Sequence, residues 1–263
     1  MSDGLGQFCW FDLITPDEGA AKVFYTEVVG WSTTEFDMGG TPYTMFALPG
    51  TTEALGGIMK LTEASREAGV PPHWIGYVST PDIEATFARA VELGAEVHHG
   101  VTPISSVGRF AVLADPAGGA FALFASEKGV APLKATADVG ECAWHEHMTP
   151  DLDGALAFYM ALFDWEETGR MDMGPMGPYV MFGPRGAGVA IGGMMKTPEN
   201  VAMPAVWSYY TRVPDIHGAV GKAQAMGGKL MHGPMEVPGG DLAAQLQDPQ
   251  GAVFALYEAK AKS

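Results

Sequence analysis

Near the start of the chain, the spacing of hydrophobic and polar residues changes from the alternation of a strand to the period of a helix and back again. Residues 8–14 alternate between two faces, which is typical of a half-buried strand. A helix is predicted next, capped by Thr15 or Asp17 and ended by Gly30, because apolar residues recur there at helical spacing. Three short strands are predicted to follow, at about 31–37, 42–48 and 55–60. The pattern therefore predicts a module of strand, helix and three strands, βαβββ.

The same order of elements begins again at Trp74. A strand is predicted over 74–79, and Asp82 is placed to cap a helix that Gly94 ends. Further strands are predicted near 96–98, 104–113 and 120–125. Two βαβββ modules thus fill the first half of the chain.

The chain then repeats itself at a distance of about half its length. The segment that starts at Trp10 and contains Asp12 recurs from Trp144, with Glu146 in the place of Asp12. Further matches occur in the same order in both halves: Phe24-Tyr25 with Phe158-Tyr159, Trp31 with Trp165, Gly56-Gly57 with Gly192-Gly193, and Asp115-Pro116 with Asp248-Pro249. We therefore expect two copies of one fold. The predicted boundaries are 1–128 for the first domain, 129–139 for a linker and 140–263 for the second domain.

Charge and composition narrow the classes of function. Lys and Arg number 15 against 31 Asp and Glu, which gives a net charge of −16. Because nucleic acids and anionic membranes attract basic patches, neither is expected as a partner. No apolar run approaches the ~20 residues of a membrane helix, and no secretory leader is evident, so we expect a cytoplasmic protein. The two cysteines are too few for a disulfide scaffold or a cysteine-rich metal site.

The landmarks of both halves resemble the vicinal oxygen chelate superfamily, which includes glyoxalase I, bleomycin resistance proteins and extradiol dioxygenases. The residues that carry the resemblance in the first half are Phe24-Tyr25, Gly30-Trp31, Pro81-Asp82-Ile83, Leu93-Gly94-Ala95, Asp115-Pro116-Ala117-Gly118 and Phe121-Ala122-Leu123. The resemblance implies an α+β fold of tandem glyoxalase-like domains. Each domain is expected to contain two βαβββ modules that form curved mixed sheets around a cavity, with the helices outside.

Enzymes of this superfamily bind a divalent metal through His and Glu side chains, so the equivalent positions matter. They fall on or beside three pairs of positions, namely Trp10 and Trp144, Gly57–Met59 and Gly193–Met195, and Ala122 and Ala255. Trp, Met and Ala cannot ligate such a metal. We therefore expect no cofactor, although a divalent metal held by unusual ligands stays open.

The sequence His145-Glu146-His147 is the obvious source of unusual ligands. Consecutive strand residues face opposite ways, so His145 and His147 share one face and Glu146 lies on the other. The first half has Phe11 and Leu13 at the histidine positions, which favours a helix-packed core for that face.

Asp12 and Glu146 are the predicted catalytic residues, because they are equivalent acids inside apolar strands. A desolvated carboxylate can act as a general base or hold a polar ligand. The alternative is a carboxylate satisfied by backbone N–H groups or by a neighbouring Tyr or Trp donor. The predicted ligand-binding residues are Trp10, Tyr43, Tyr77, Arg109, Trp144, Tyr179 and Tyr210. Core packing is the competing role of the aromatic residues. Arg109 could instead pair with Asp12, bind an anionic group or lie at the surface.

These observations predict a protein of the glyoxalase and bleomycin-resistance type that binds a small apolar or aromatic metabolite. If it is an enzyme, we expect a metal-independent isomerase or lyase. One alternative is a non-catalytic binder that sequesters a drug or metabolite, and another is a metal-dependent glyoxalase or dioxygenase with unusual ligands. Two tandem domains could build the site within one monomer as an intramolecular pseudo-dimer, or the chain could form a homodimer.

Overall fold

The computed structural model describes residues 4–40, 42–134, 136–198 and 203–260. The elements of the first half are β1 (Phe8–Thr15), α1 (Glu18–Val28), β2 (Ser32–Asp37), β3 (Pro42–Ala47), β4 (Ala54–Lys60), a short α2 (Glu63–Glu67), β5 (His73–Ser79), α3 (Ile83–Glu92), β6 (Glu96–Ile104), β7 (Gly108–Ala114) and β8 (Ala120–Ser126). The predicted βαβββ module therefore occurs twice in the first half, and the short helix α2 lies between the two modules.

The second half repeats the order. Its elements are β9 (Cys142–Thr149), α4 (Leu152–Phe163), β10 (Trp165–Asp172), β11 (Pro178–Pro184), β12 (Gly192–Lys196), β13 (Val206–Arg212), α5 (Ile216–Ala225), β14 (Lys229–Glu236), β15 (Leu242–Gln247) and β16 (Val253–Glu258). Among the residues that the structure describes, no helix is long and apolar enough to cross a membrane.

Each sequence half forms one eight-stranded mixed sheet. The strand orders are β2-β3-β4-β1-β5-β8-β7-β6 and β10-β11-β12-β9-β13-β16-β15-β14. In both sheets the first strand of a module pairs in parallel with the last strand of that module, whereas the other pairs inside a module are antiparallel. The α+β class and the tandem arrangement predicted from the sequence are thereby confirmed.

Each of the four long helices begins at an aspartate. The side chains of Asp17, Asp82, Asp151 and Asp215 accept a hydrogen bond from the backbone N–H three residues further on. Such a cap satisfies one of the unpaired N–H groups of the first turn and stabilises a helix by about 1 kcal/mol. The choice left open between Thr15 and Asp17 is therefore settled in favour of Asp17.

One strand boundary differs from the prediction. A strand was expected near 96–98 and another over 104–113, but β6 continues to Ile104 and β7 begins at Gly108. The turn between them contains Ser106 with a φ of 59°. The break was expected too early because Gly100 and Pro103 are turn-type residues, whereas they lie inside β6, whose register with β7 shifts between Val97 and His99 and between His99 and Thr102.

The chain divides into two compact units that cut across the sequence repeat. Unit 1 comprises Met1–Trp10, Gly76–Ala135 and Trp144–Trp207, and unit 2 comprises Phe11–Ile75, Thr136–Ala143 and Ser208–Ser263. Each unit therefore contains one βαβββ module from each sequence half. The predicted domains, 1–128 and 140–263, describe the repeat in the sequence and stay a prediction.

The core of unit 2 lies between one face of its strands and helices α1 and α5. Its buried residues include Leu13, Phe24, Ile58, Ile216 and Leu256. Each such side chain contributes about 1.5–3 kcal/mol when it is fully removed from water. Unit 1 contains a cluster of buried aromatic residues, formed by Phe121, Tyr159, Phe163, Trp165, Phe182 and Trp207.

Equivalent tryptophans hold the chain segments that precede the first strand of each half. In unit 1, Trp165 Nε1 donates to the carbonyl of Gly6 at 2.8 Å, and in unit 2 Trp31 Nε1 donates to the carbonyl of Gly140 at the same distance. Both glycines have positive φ, 79° and 93°, which a residue with a Cβ rarely adopts. The repeat at these positions therefore has a structural cause.

Candidate functional site

Asp12 lies on the face of β1 that points away from the core of unit 2. Leu13, its neighbour, belongs to the helix-packed core, so alternation places Asp12 on the opposite face. Asp12 is only 3% exposed. A carboxylate removed from water to this extent needs hydrogen-bond donors or a function.

Tyr43 supplies a donor by reaching across a glycine. Asp12 pairs with Gly57 in the register of β1 and β4, and β3 carries Tyr43 on the far side of β4. The hydroxyl of Tyr43 donates a hydrogen bond to Oδ1 of Asp12. A Cβ at position 57 would collide with the hydroxyl and ring of Tyr43. The second glycine of the repeated Gly-Gly pair is therefore needed for the contact between tyrosine and carboxylate.

Unit 1 contains the same arrangement with a longer acid. Tyr179 Oη donates to Oε2 of Glu146 at 3.1 Å, and Trp144 Nε1 donates to Tyr179 Oη at 2.7 Å. Glu146 pairs with Gly193 in the register of β9 and β12, and a Cβ at Gly193 would collide with the ring of Tyr179. Tryptophan, tyrosine and carboxylate thus form a short chain of hydrogen bonds.

A tyrosine that donates to a carboxylate brings a proton donor and a proton acceptor together. The carboxylate can accept a proton from a substrate, and the phenol can stabilise an oxygen that gains charge, which is the basis of general acid–base catalysis. The same contact also satisfies the buried carboxylate, which was the alternative interpretation from the sequence. Geometry alone is compatible with both roles.

The other predicted ligand-binding residues occupy different environments. Trp10 is half-buried on β1, whereas Tyr77 is buried with its ring 6.4 Å from Phe110. The hydroxyl of Tyr210 accepts a hydrogen bond of 2.9 Å from Gln245 Nε2. Each of these environments therefore differs from the tyrosine–carboxylate contact.

Arg109 lies at the surface of unit 1. Its guanidinium forms an ion pair with Glu84 on α3, and about half of each side chain is exposed. This is the surface role that the sequence left open for Arg109.

Both histidines of the His145-Glu146-His147 segment are buried on the face opposite Glu146, as their pattern favoured. The His145 ring stacks on Phe8 with 4.0 Å between the ring centroids, and its Nδ1 lies 2.6 Å from the carbonyl oxygen of Ile191. Burial lowers the pKa of His145 to about 4, against a smaller opposite effect of the Ile191 hydrogen bond. His145 is therefore neutral near neutral pH.

His147 lies beside a buried carboxylate in unit 1. Its Nε2 lies 2.9 Å from Oδ2 of Asp115, and neither side chain is exposed. Tyr159 Oη also donates to this oxygen at 2.9 Å, and Trp207 Nε1 donates to Tyr159 Oη at 2.9 Å. Burial works to raise the pKa of Asp115, but the hydrogen bond and charge of His147, with the donors Gly119 N–H and Tyr159, hold that pKa below its usual range.

Unit 2 has the equivalent chain of hydrogen bonds without the histidine. Trp74 Nε1 donates to Tyr25 Oη at 3.0 Å, and Tyr25 Oη donates to Oδ2 of Asp248 at 3.0 Å. Burial raises the pKa of Asp248 above its usual range, although backbone N–H groups and Tyr25 favour its charged form. The sequence analysis did not predict either of these buried series of hydrogen bonds. The repeat of the Asp-Pro-x-Gly motif together with a Tyr and a Trp in both halves could have indicated them.

The resemblance places the family's metal ligands on or beside three pairs of positions, where the side chains carry no donor of the usual kind. These positions are Trp10 and Trp144, Gly57–Met59 and Gly193–Met195, and Ala122 and Ala255. Within residues 4–40, 42–134, 136–198 and 203–260, no group of three or more His, Cys, Asp or Glu side chains is placed to hold a metal ion.

A small cavity in unit 2 is lined mainly by apolar and aromatic side chains, including Phe11, Trp31, Trp74 and Tyr209. Its volume of about 20 Å³ is enough for a water molecule. Ligand pockets for small metabolites are at least ten times larger, so this cavity is not a metabolite site.

Comparison with known proteins places both halves in one superfamily. A family model described as Glyoxalase/Bleomycin resistance protein/Dioxygenase superfamily matches residues 143–256, and a model described as Glyoxalase-like domain matches residues 9–124. The matches confirm the resemblance drawn from the sequence landmarks.

Curated relatives match along nearly their whole length. The chain is 32% identical over 251 residues to the protein named "Putative glyoxylase CFP32" of Mycobacterium bovis, a match that covers 95% of this chain and 93% of that protein. It is 30% identical over 265 residues to "Anthracycline biosynthesis protein DauV" of Streptomyces sp. strain C5, with 96% of this chain and 93% of that protein covered.

Solved structures share the fold. The Mn(II)-bound glyoxalase from Novosphingobium aromaticivorans has a TM-score of 0.66 at 13% identity, with 97% of this chain and 82% of that chain covered. The 2,2',3-trihydroxybiphenyl 1,2-dioxygenase from Sphingomonas wittichii has a TM-score of 0.65 at 10% identity, with coverage of 97% and 91%. At such low identity the similarity concerns the fold alone.

Proposed function

Since this chain belongs to the Glyoxalase/Bleomycin resistance protein/Dioxygenase superfamily, we propose that it is a small-molecule enzyme that moves a proton on an apolar or aromatic metabolite. The observation that carries the proposal is the tyrosine–carboxylate contact, Tyr43 with Asp12 in unit 2 and Tyr179 with Glu146 in unit 1. Both contacts require a glycine on the intervening strand, so the same local design occurs twice.

The proposed reaction is an isomerisation or elimination that begins at a carbon next to a carbonyl group. The carboxylate of Asp12 or Glu146 accepts a proton as the C–H bond breaks, and the electron pair moves to the carbonyl oxygen. The tyrosine O–H donates to that oxygen as its charge grows. Return of the proton to a different carbon gives an isomer, and departure of a leaving group gives a lyase reaction.

The proposal includes independence of a divalent metal. Its support is the chemistry of the side chains at the family's ligand positions, where Trp10, Met59 and Ala122 carry no suitable donor. Removal of metals from the purified protein with a chelator is expected to leave turnover within about twofold, because the proton acceptor is a carboxylate of the chain itself. A large loss that Zn²⁺, Ni²⁺ or Fe²⁺ restores would contradict this part of the proposal.

The substrate class rests on two lines of support. The predicted ligand residues are predominantly aromatic, and aromatic side chains with a polar tip suit flat ligands with a few oxygens. Two relatives of similar length are named for anthracycline biosynthesis, and anthracyclines are polycyclic aromatic ketones. A polycyclic aromatic ketone is therefore the ligand class to test.

The decisive experiment uses an anthracycline as the probe. Its binding is measured by quenching of tryptophan fluorescence, and proton transfer is measured as deuterium incorporation from D₂O by mass spectrometry. Asp12→Asn, Glu146→Gln and Tyr43→Phe are compared with the parent protein. The variants with a role in proton transfer are expected to lose at least about 100-fold in exchange rate, while affinity changes only a few-fold. Exchange that is absent in the parent, or equal in all variants, refutes proton transfer.

A non-catalytic binder is the second candidate function. The observation that favours it is the near-complete burial of Asp12 under Tyr43, because a carboxylate so enclosed can serve to orient the phenol. The same experiment separates the two functions. Tight anthracycline binding without any deuterium exchange or chemical change supports sequestration.

A further inference from the structure

The hairpin loop between β10 and β11 in unit 1 is unusually rich in methionine. Residues 171–178 have the sequence Met-Asp-Met-Gly-Pro-Met-Gly-Pro, so three of these eight residues carry a thioether. Met171 and Met173 are half-buried, and Met176 is 45% exposed. Side chains in such positions add little to the core of unit 1, so their sulfur chemistry is the property to consider.

The strand geometry places the first two of these methionines on one face. Met171 lies in β10, and the N–H of Met173 donates to the carbonyl of Gly177 at 2.9 Å, which continues the pairing of the two strands by one step. Residues two apart on a strand point to the same side and lie about 6–7 Å apart. Met171 and Met173 therefore present their thioethers on the same side of the hairpin.

A turn brings the third methionine back to the second. The N–H of Met176 lies 3.4 Å from the carbonyl oxygen of Met173, and the N–H of Gly177 donates to the carbonyl of Gly174 at 3.0 Å. The first and last Cα atoms of such a four-residue turn are within about 7 Å of each other. The Asp172 carboxylate accepts from the N–H of Gly174 at 2.9 Å, so the loop is held by hydrogen bonds of its own.

Three thioethers within this range are suited to a soft metal ion. A methionine side chain has three rotatable bonds and a polarizable sulfur, which allows the sulfur atoms of neighbouring methionines to converge on one point. Thioether and thiolate ligands select Cu(I), whereas oxygen ligands suit Mg²⁺, Ca²⁺ and Mn²⁺. The chemistry of the loop therefore favours a monovalent soft ion.

The charges around the loop also favour a cation. Residues 171–184 contain neither Lys nor Arg, and the chain as a whole has a net charge of −16. The nearest preceding cation along the chain, Arg170, is paired with Glu167 through two hydrogen bonds of 3.0 and 2.8 Å. A positive ion at the loop is therefore not opposed by an uncompensated positive charge next to it in the sequence.

The equivalent hairpin of the first half provides an internal comparison. Met171 lies opposite Tyr179, and in the first half Phe36 lies opposite Tyr43. Phenylalanine thus takes the place of the first methionine, and Met38 is the one methionine in the loop sequence Met-Gly-Gly-Thr that follows β2. Only the second half repeats the thioether three times.

We propose that Met171, Met173 and Met176 form a binding site for Cu(I). Each sulfur shares a lone pair with the ion, so no bond is broken and the oxidation state of the metal is unchanged. The site is separate from the proposed proton transfer, because it uses neither Asp12 nor Glu146. It also differs from the divalent metal site of the family in both its ligands and its place in the fold.

The test measures transfer of Cu(I) to the purified full-length protein. Cu(I) is kept reduced by ascorbate without oxygen, and the protein competes for it with bicinchoninate, whose Cu(I) complex absorbs visible light. The parent is expected to withdraw about one equivalent of Cu(I) from the chelator. Met176→Leu is expected to weaken binding at least about 10-fold, and the triple variant with leucine at all three positions to abolish it. Leucine keeps nearly the same volume, and thermal unfolding verifies the fold.

Met38→Leu and Met231→Leu are the matched controls, since both remove an exposed methionine, 42% and 56% exposed, outside the loop. They are expected to leave Cu(I) binding unchanged. The absence of Cu(I) uptake by the parent, uptake that persists in the triple variant, or an equal loss in either control would overturn the proposal.

A second measurement needs no variant to identify the ligands beyond the assignment of signals. Ag(I), an air-stable ion with the same charge and preference for sulfur, is added to protein with ¹³C-labelled methionine methyl groups. The NMR signals of Met171, Met173 and Met176 are expected to shift together and to saturate at about one equivalent. Shifts confined to other methionines would refute the site, as would equal shifts caused by Zn²⁺. None of these outcomes depends on deuterium exchange, so failure of the proposed function and failure of the Cu(I) site are distinguishable.

Discussion

Units 1 and 2 bury equivalent aspartates whose electrostatic settings are opposite. Asp115 and Asp248 each accept a tyrosine hydroxyl and backbone N–H groups of their own Asp-Pro loop. Only Asp115 has a histidine beside it, since His147 corresponds to Leu13 in the other unit. The pKa of Asp115 is accordingly lowered, because of His147, and the pKa of Asp248 is raised by burial. The histidine that unit 1 has and unit 2 lacks thus accompanies a change in the direction in which the pKa of the buried carboxyl is shifted.

The histidine also explains a difference in the loop. Gly119 follows the Asp115 loop, and the equivalent residue in unit 2 is Ala252. A Cβ at Gly119 would lie 2.6 Å from Asp115 Oδ2 and 2.6 Å from His147 Cε1. The larger alanine therefore occurs where leucine replaces histidine, so His147 and Gly119 form a matched set.

The largest predicted effect separates the two aspartates. Asp115→Asn is expected to lower the free energy of unfolding by about 3 kcal/mol, because it replaces a buried carboxylate that accepts from Tyr159 and lies 2.9 Å from His147 Nε2. Asp248→Asn is expected to cost only about 1 kcal/mol, since burial opposes the charged form of Asp248 and no histidine lies beside it. Urea unfolding at neutral pH measures both. Equal losses would show that His147 is not what distinguishes the two sites.

A second buried histidine of unit 1, His145, is expected to make the free energy of unfolding depend on pH. The pKa of His145 is lowered by burial from 6.5 to about 4, so the folded state binds fewer protons than the unfolded state between these values. Its contribution to stability is present above the unfolded pKa and is lost as pH falls, by about 3 kcal/mol between neutral pH and pH 4. His145→Phe, which introduces the equivalent of Phe11, is expected to flatten stability over this range. An unchanged pH profile would contradict the burial of a neutral imidazole.

The matched set of His147 and Gly119 predicts non-additivity. Gly119→Ala alone is expected to cost about 1–3 kcal/mol, because the added methyl overpacks the site. In the His147→Leu background the same change is expected to cost less than about 0.5 kcal/mol, as in the Leu13 and Ala252 combination. A double-mutant cycle from urea unfolding measures the difference. Additive effects would mean that the added methyl group is opposed by the Asp115 carboxylate rather than by the histidine.

The smallest predicted effect concerns Arg109, which corresponds to Leu242 in unit 2. Arg109→Leu is expected to change the free energy of unfolding by less than about 1 kcal/mol, because its ion pair with Glu84 is half-exposed. Urea unfolding checks this value, and Glu84→Gln serves as the control for the ion pair. A marked loss of anthracycline affinity in Arg109→Leu would instead assign the guanidinium to ligand binding, as the sequence predicted.

Much of the fold could be predicted because its determinants are local. Helical spacing after Asp17 and alternation in residues 8–14 indicated α1 and β1 within about one residue at each end. The break between β6 and β7 was placed wrongly, since Gly100 and Pro103 resemble a turn in the sequence but lie inside β6. The site was predictable in part for the same reason. Alternation put Asp12 opposite Leu13, but nothing local indicated that Tyr43 would reach it over Gly57.

By itself, then, the sequence determined the repeat, the order of elements and which face of each strand turns to the core, because periodicity and capping act over a few residues. Only the tertiary structure decided which polar groups meet. Tyr25 and Asp248 are 223 residues apart, and Tyr159 and Asp115 are 44 apart. Such pairs form only when modules from different sequence halves pack into one unit. This packing depends on the combined surfaces of many residues that are far apart in the sequence, so a local pattern cannot predict it.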